Sequence, residues 1–225
     1  MVSVKIFVVN ENETNAFLIW DETNQGLLID PGFCTIEEFT SLTTFVKEKN
    51  ISITKIVLTH GHYDHVAGVK MAMQNFSCSV YLHKLEEENA IEGLEICKLK
   101  HWELCSDDAM FDYEDISSLP NIIIGNQTFD ILHTPGHSSG SICIYSPNNN
   151  LLISGDTIFF HNYGRTDFDD GDFISILNSF SKLLSLPKMT YILPGHGKPT
   201  SIDEELVHNP LTKHINNFET TIEEL

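Results

Sequence analysis

The run Ile56-Val57-Leu58-Thr59-His60-Gly61-His62-Tyr63-Asp64-His65 constrains this chain more than any other stretch. A short apolar segment ends abruptly in three histidines and an aspartate. Imidazole nitrogen and carboxylate oxygen are the donors a borderline divalent ion such as zinc prefers. Four of them within six residues cannot all reach one ion without strain, so the spacing points to a two-metal site. A solvated polar loop is the plain alternative, and it accounts for a bare HxH better than for HxHxDH directly after a strand.

The same construction recurs three more times. Phe129-Asp130-Ile131-Leu132-His133-Thr134-Pro135-Gly136-His137, Leu151-Leu152-Ile153-Ser154-Gly155-Asp156 and Tyr191-Ile192-Leu193-Pro194-Gly195-His196 each run apolar residues into glycine and then a ligand type. Buried strands read as short continuous apolar runs, and ligands bind on the turns beyond their ends. Four strand ends are therefore expected to converge on one rim. The glycine before each of His137, Asp156 and His196 suits a sharp turn with close backbone approach.

In this order, THGHYDH, TPGHSSG, SGDT and PGHG resemble the metallo-β-lactamase fold superfamily. The resemblance extends to Thr14-Asn15, Asp30-Pro31-Gly32, Gly164-Arg165-Thr166-Asp167-Phe168 and Asn209-Pro210-Leu211, nearly the whole chain. Within the superfamily the chain looks most like the small, single-domain type II glyoxalase-like (hydroxyacylglutathione hydrolase-like) hydrolases. That resemblance implies His60, His62 and His137 around one ion, Asp64, His65 and His196 around a second, and Asp156 bridging both. It also implies two divalent ions, zinc foremost with iron or manganese as alternatives. Pattern alone gives a mixed α/β fold; the resemblance turns this into a four-layer αββα sandwich.

At 225 residues without a Pro/Gly/Ser-rich linker, one domain spanning residues 1–225 is expected. The formal net charge of −19 argues against a nucleic-acid partner, because phosphate binding needs clustered Lys and Arg. Five cysteines, odd in number and without CxxC spacing, do not form a disulfide framework; reduced thiols and a cytoplasmic location are expected. The first ten residues lack the apolar core of a signal peptide, and no run approaches the roughly 18 residues of a membrane span.

Val4–Val9 and Ala16–Trp20 read as a hairpin, Leu27–Asp30 as a strand, and Thr35 as the cap of a helix over Ile36–Lys49. Lys55–Leu58 delivers the first metal motif, and Asp64 is expected to open a helix reaching about Asn75. A strand at Ser79–Leu82 and a short helix at Lys84–Ala90 follow. Residues 92–120 show no sustained period and read as a lid or as irregular packing. Strands at Ile122–Ile124, Thr128–Leu132, Ile142–Tyr145 and Leu151–Ile153 then precede helices at Phe173–Leu186 and Pro210–Leu225.

Two close cations generate hydroxide at neutral pH and polarise the carbonyl under attack, so no serine or cysteine nucleophile is required. Asp64 is the expected catalytic residue, orienting that nucleophile besides ligating. A thioester suits the site, because a thiolate of pKa about 8.5 leaves without a strong acid. The substrate expected is a small anionic thioester or ester. Arg165, the only arginine, either anchors its anionic group, as the basic residue at this position does in type II glyoxalases, or pairs with Asp167 or Asp169.

Two departures weigh against glutathione: Asp167 stands where those enzymes carry an aromatic hydroxyl, and only 29 residues follow His196 (225 − 196). The alternatives are a mononuclear-iron persulfide dioxygenase and a non-catalytic, metal-stabilised scaffold. True β-lactamase activity is disfavoured, since those enzymes are normally exported and generally carry cysteine or serine at the position of Asp156. Asp30 is a candidate partner for a ligand histidine. His133 reads as packed, and His83, His101, His161, His208 and His214 as surface or supporting residues. Tyr63 and Tyr163 are candidate pocket residues.

Overall fold

The computed structural model describes residues 1–105 and 110–215. Strands β1 (Ser3–Val9), β2 (Thr14–Trp20) and β3 (Gln25–Ile29) form an antiparallel meander. Helix α1 (Ile36–Lys49) then crosses to β4 (Ser52–Val57), and α2 (Tyr63–Val66) with α3 (Val69–Phe76) crosses to β5 (Ser79–Leu82). Helix α4 (Glu87–Leu99) leads to β6 (Glu114–Asp115), completing a six-stranded sheet in chain order whose last four strands are parallel.

The second half begins with β7 (Asn121–Ile124), β8 (Gln127–His133), β9 (Ile142–Ser146) and β10 (Leu151–Gly155), all antiparallel. A small hairpin, β11 (Ile158–Phe159) and β12 (Asn162–Tyr163), precedes α5 (Phe173–Leu184). The chain returns as β13 (Tyr191–Pro194), parallel to β10, then β14 (Thr200–Ser201) and α6 (Ile202–His208). The second sheet runs β14-β13-β10-β9-β8-β7.

Successive side chains on a strand point to opposite faces, so a strand buried on both faces divides its apolar residues between two cores. Phe17 and Ile19 of β2, Leu27 and Ile29 of β3, and Val57 of β4 pack with Phe129, Ile142, Ile144, Ile153 and Leu193 between the sheets. The alternate residues Leu18, Leu28 and Ile56 meet Phe39, Leu42 and Val46 of α1 and Val69 and Ala72 of α3. On the other side Cys143, Tyr145, Leu152 and Ile192 meet Ile176, Phe180 and Leu183 of α5 and Ile202 of α6. The result is helix, sheet, sheet, helix, the four-layer sandwich expected.

Several local expectations hold and others change. Thr35 caps α1 in a reciprocal capping box with Glu38, and Asn50 closes it in the left-handed conformation. Asp64 does not open its helix: His62 occupies the cap position, and the segment breaks at Ala67 and Gly68 into α2 and α3. The short helix expected at Lys84–Ala90 instead continues to Leu99, so the first part of residues 92–120 is regular. Beyond it Leu104, Phe111 and Ile116 are buried, which is packed irregular chain. Residues 106–109 of that expectation lie outside the described residues, as do 216–225 of the terminal helix, of which 210–215 are helical. Among the described residues no helix is long and apolar enough to cross a membrane.

Phe17 is fully buried between the sheets, whereas Val8 of β1 is 63 % exposed. Phe17→Ala is expected to cost about 3–5 kcal/mol and Val8→Ala less than about 0.5 kcal/mol. Urea unfolding of both variants checks this; equal losses would contradict the layer assignment.

Candidate metal centre

The seven residues expected to ligate stand at strand ends on one rim. His60 and His62 follow β4, Asp64 and His65 occupy the turn of α2, and His137, Asp156 and His196 follow β8, β10 and β13. The two sheets are tied together there: Ile142 N–H donates to Thr59 O (2.9 Å), and Asn15 N–H to Gly195 O (2.7 Å). Gly136 has φ +137°, and a Cβ on it would lie 2.3 Å from the backbone nitrogen of Ile176. A Cβ on Gly195 would lie 2.2 Å from Asp156 Oδ1, so glycine is what lets β13 approach that carboxylate.

The structure brings the donors together in two groups, His60–His62–His137 and Asp64–His65–His196, each with ligand atoms within 4.8 Å of one another. His62 Nδ1 is 2.9 Å from His137 Nε2, and His65 Nε2 is 3.3 Å from His196 Nε2. His196 Nε2 is also 3.3 Å from Asp64 Oδ2. Tetrahedral donors at zinc–nitrogen bond lengths stand about 3.3 Å apart, so these spacings suit an ion in each group. Asp156 faces both, its Oδ2 3.6 Å from His137 Nε2 and 3.5 Å from His196 Nε2, its Oδ1 3.5 Å from His65 Nε2.

Which nitrogen faces inward is decided by what holds the other. His65 Nδ1–H donates to Asp30 Oδ2 (3.0 Å), His137 Nδ1–H to Arg165 O (2.8 Å) and His196 Nδ1–H to Asn12 O (3.0 Å). Thr59 gives its only hydroxyl hydrogen to Asp30 Oδ2 (2.6 Å), so its oxygen accepts from His60 Nδ1–H at 3.0 Å. In all four rings the outer nitrogen is the committed N–H donor, which leaves Nε2 as the nitrogen facing inward, as in metal-ligating histidines. His60 Nε2 and Asp156 Oδ1 are buried without a hydrogen-bond partner. Orphaned acceptors of this kind are costly unless a cation satisfies them. Asp30 groups geometrically with His60 and His65 as well. Its oxygens are taken by Thr59 and by His65 Nδ1, which makes it the support expected from sequence.

Charge follows the same logic. Burial, reinforced by neighbouring imidazoles, holds His60 well below the usual histidine value and brings His62 down to about 4. Burial also opposes a charge on His65, yet Asp156, Asp64 and Asp30 outweigh it and raise this group to about 10. His196 is raised against burial by Asp64 and Asp156; Asp64 in turn is pulled down, against burial, by His65 and His196. Carboxylates in this pocket demand positive charge, which protons supply when no metal does.

Two supports have no role assigned by the sequence. Glu86, fully buried, accepts from Gly61 N–H (2.8 Å) and Asn89 Nδ2–H (3.0 Å) on one oxygen, and from Ser138 Oγ–H (2.6 Å) and Gly140 N–H (2.7 Å) on the other. It thereby ties the His60–His62 loop to the His137 loop. Thr14, part of the Thr14-Asn15 motif, donates Oγ1–H to Asp64 Oδ2 at 2.8 Å.

The centre opens into a cavity of about 1040 Å³ whose lining includes Tyr63, Phe159, Tyr163, Arg165 and Phe168. Arg165 is paired through Nε and Nη2 with Asp167 (2.6 and 2.7 Å) and stacks on Phe168. His133 is exposed rather than packed in a core, stacked on His83 and donating Nε2–H to Ser139 O. His214 packs against Phe173, and His101 is a left-handed residue just after α4. His161 and His208 meet elsewhere, beside Glu204.

At pH 7 the metal-free centre carries a proton on His65, whose value of about 10 lies above the solution pH. An ion taking its Nε2 must displace that proton. Zinc binding at pH 7 is therefore expected to release protons and to tighten as pH rises toward 10, measured by calorimetry in buffers of different ionisation enthalpy. Asp30→Asn should weaken zinc binding about 10- to 100-fold. Binding without proton release would contradict the assignment.

The profile of the Metallo-beta-lactamase superfamily matches residues 9–196. The hydroxyacylglutathione hydrolase GloC of Haemophilus influenzae is 30% identical over 211 residues, covering 93% of this chain and 97% of its own. Among solved structures, the BLEG-1 B3 metallo-beta-lactamase superposes with a TM-score of 0.80 at 31% identity, covering 92% of this chain and 98% of its own. TTHA1623, crystallised in a di-iron-bound form, gives a TM-score of 0.78 at 30% identity, covering 92% and 99%. With motifs, sandwich and profile in agreement over most of its length, the chain belongs to the metallo-beta-lactamase superfamily.

Proposed function

We propose that this protein is a hydrolase of small thioesters that works with two divalent ions, zinc foremost. In this reading His60, His62 and His137 hold one ion and Asp64, His65 and His196 the other. The observation that carries it is Asp156, a single buried carboxylate facing nitrogens of both donor groups at 3.5–3.6 Å. When bound, such ions lower the pKa of water to about 7 and polarise a carbonyl oxygen.

The chain's own residues do the rest. Asp64, fixed by the hydroxyl of Thr14, orients the attacking water. No serine or cysteine is among the described residues lining the cavity, which agrees with water as the nucleophile. Tyr63 and Phe159 supply aromatic wall beside the ligands. Arg165 has one guanidinium edge engaged by Asp167 and offers the other to an anionic group. Glu88, Glu92, Asp167, Asp169 and Asp170 also line the cavity, so the anionic group is small and single. The name of the GloC relative supports the thioester class. The solved relative called a B3 metallo-beta-lactamase makes β-lactam hydrolysis the second reading.

Protein purified without chelator is expected to keep two ions per chain after dialysis and to cleave members of an acyl-thioester panel, lactoylglutathione included. His60→Ala should abolish turnover with an unchanged circular dichroism spectrum. One iron per chain with sulfur-dependent oxygen uptake would replace this reading by a persulfide dioxygenase, and strong nitrocefin turnover by a β-lactamase. Arg165→Ala should raise KM for anionic thioesters about tenfold and leave kcat alone, since a group binding ground and transition states equally affects KM only.

A further inference from the structure

Away from the centre, a second set of ligand-type side chains meets at the tip of the β11–β12 hairpin. His161, at the turn, has φ +54°, and its N–H donates to both oxygens of Glu205 (3.1 and 3.2 Å). Glu205 is fully buried and also accepts from Thr200 Oγ1–H (2.6 Å) and Asn209 Nδ2–H (2.8 Å). Asn209 Nδ2 donates in addition to Asn162 O at 2.8 Å, so the turn and the start of β12 are pinned onto α6 and its C-terminal cap. Phe160 stacks on the His161 ring at 3.8 Å and 21°, fixing its plane.

Held this way, His161 Nε2 lies 2.7 Å from Glu204 Oε1. Glu204 and His208 are four residues apart on α6 and so share a face, with His208 Nε2 3.8 Å from the same oxygen. The rings of His161 and His208 are 4.7 Å apart, and the three donor atoms lie within 4.8 Å of one another. The two contacts to the carboxylate, 2.7 and 3.8 Å, straddle the spacing of about 3.3 Å that donors take around a tetrahedral ion. Their side chains are 33, 43 and 51 % exposed, which leaves water free to complete the coordination.

We propose that His161, Glu204 and His208 form a second, surface site for one transition-metal ion, separate from the centre. Two imidazoles and one carboxylate suit zinc, nickel or copper and not magnesium or calcium, which take oxygen-rich shells. The site joins the hairpin to α6, and Phe159, Asn162 and Tyr163 of that hairpin line the cavity. An ion there stiffens one wall of the cavity without touching the ligands of the centre.

The test compares wild type, His208→Ala and His161→Ala, each with its own metal complement, at saturating zinc in equilibrium dialysis. Wild type is expected to hold one more ion per chain than either variant, whatever the count at the centre. Copper titrated into zinc-loaded wild type should give an electron paramagnetic resonance signal with nitrogen hyperfine structure from two imidazoles, lost in both variants. Equal ion counts in the three proteins, or a copper signal that survives both substitutions, would overturn the proposal. The His161–Glu204 contact would then be a hydrogen bond with His208 as a bystander.

Discussion

The rim depends on committing the outer nitrogen of four of its five inward-facing histidines before any ligand arrives. Thr59, Asp30, the carbonyl of Arg165 and the carbonyl of Asn12 each take one N–H, from His60, His65, His137 and His196 respectively. With those hydrogens spent outward, the Nε2 atoms point at one another and at Asp64 and Asp156, and only added protons or metal ions can reconcile them. Acceptors cannot satisfy acceptors, so the fold creates a demand for cations and locates it. The support is drawn from distant parts of the chain: Asn12 precedes β2, Asp30 follows β3, and Arg165 follows β12.

How much of this was legible in the sequence depends on the kind of signal each residue carries. The strands were readable because a sheet covered on both faces needs apolar residues at every position, as in Ala16 to Ile19 or Ile142 to Tyr145. The donors were readable because each follows such a run through a glycine or a short turn, and the pairing of donors came from the family resemblance. Glu86 was not readable. It is one acid among several around the start of α4, and only the fold shows that four donors surround it.

The same reason hid the second half of α4. Its buried face is Ala90, Gly93, Leu94 and Cys97, small and mixed, because it packs on the polar metal loop as well as on a core. A Cβ on Gly93 would lie 2.7 Å from the carbonyl oxygen of Gly61, so the helix needs a bare backbone at the point of contact. Helical periodicity is read from large apolar residues, and this buried face has only Leu94 of that kind. Asp64 misled for a related cause: aspartate is a common helix opener, but here its carboxylate is turned toward Thr14 and His196 instead of the backbone amides.

The carboxylate of Glu86 has a further consequence. It is the buried knot between a loop that belongs to the first sheet and one that belongs to the second, and each of its oxygens serves a different loop. Neither half of the sandwich can loosen at the rim without stripping partners from a charge sealed away from water, which is expensive. The two halves are thus expected to open together at this rim, because parting either loop strips the same carboxylate.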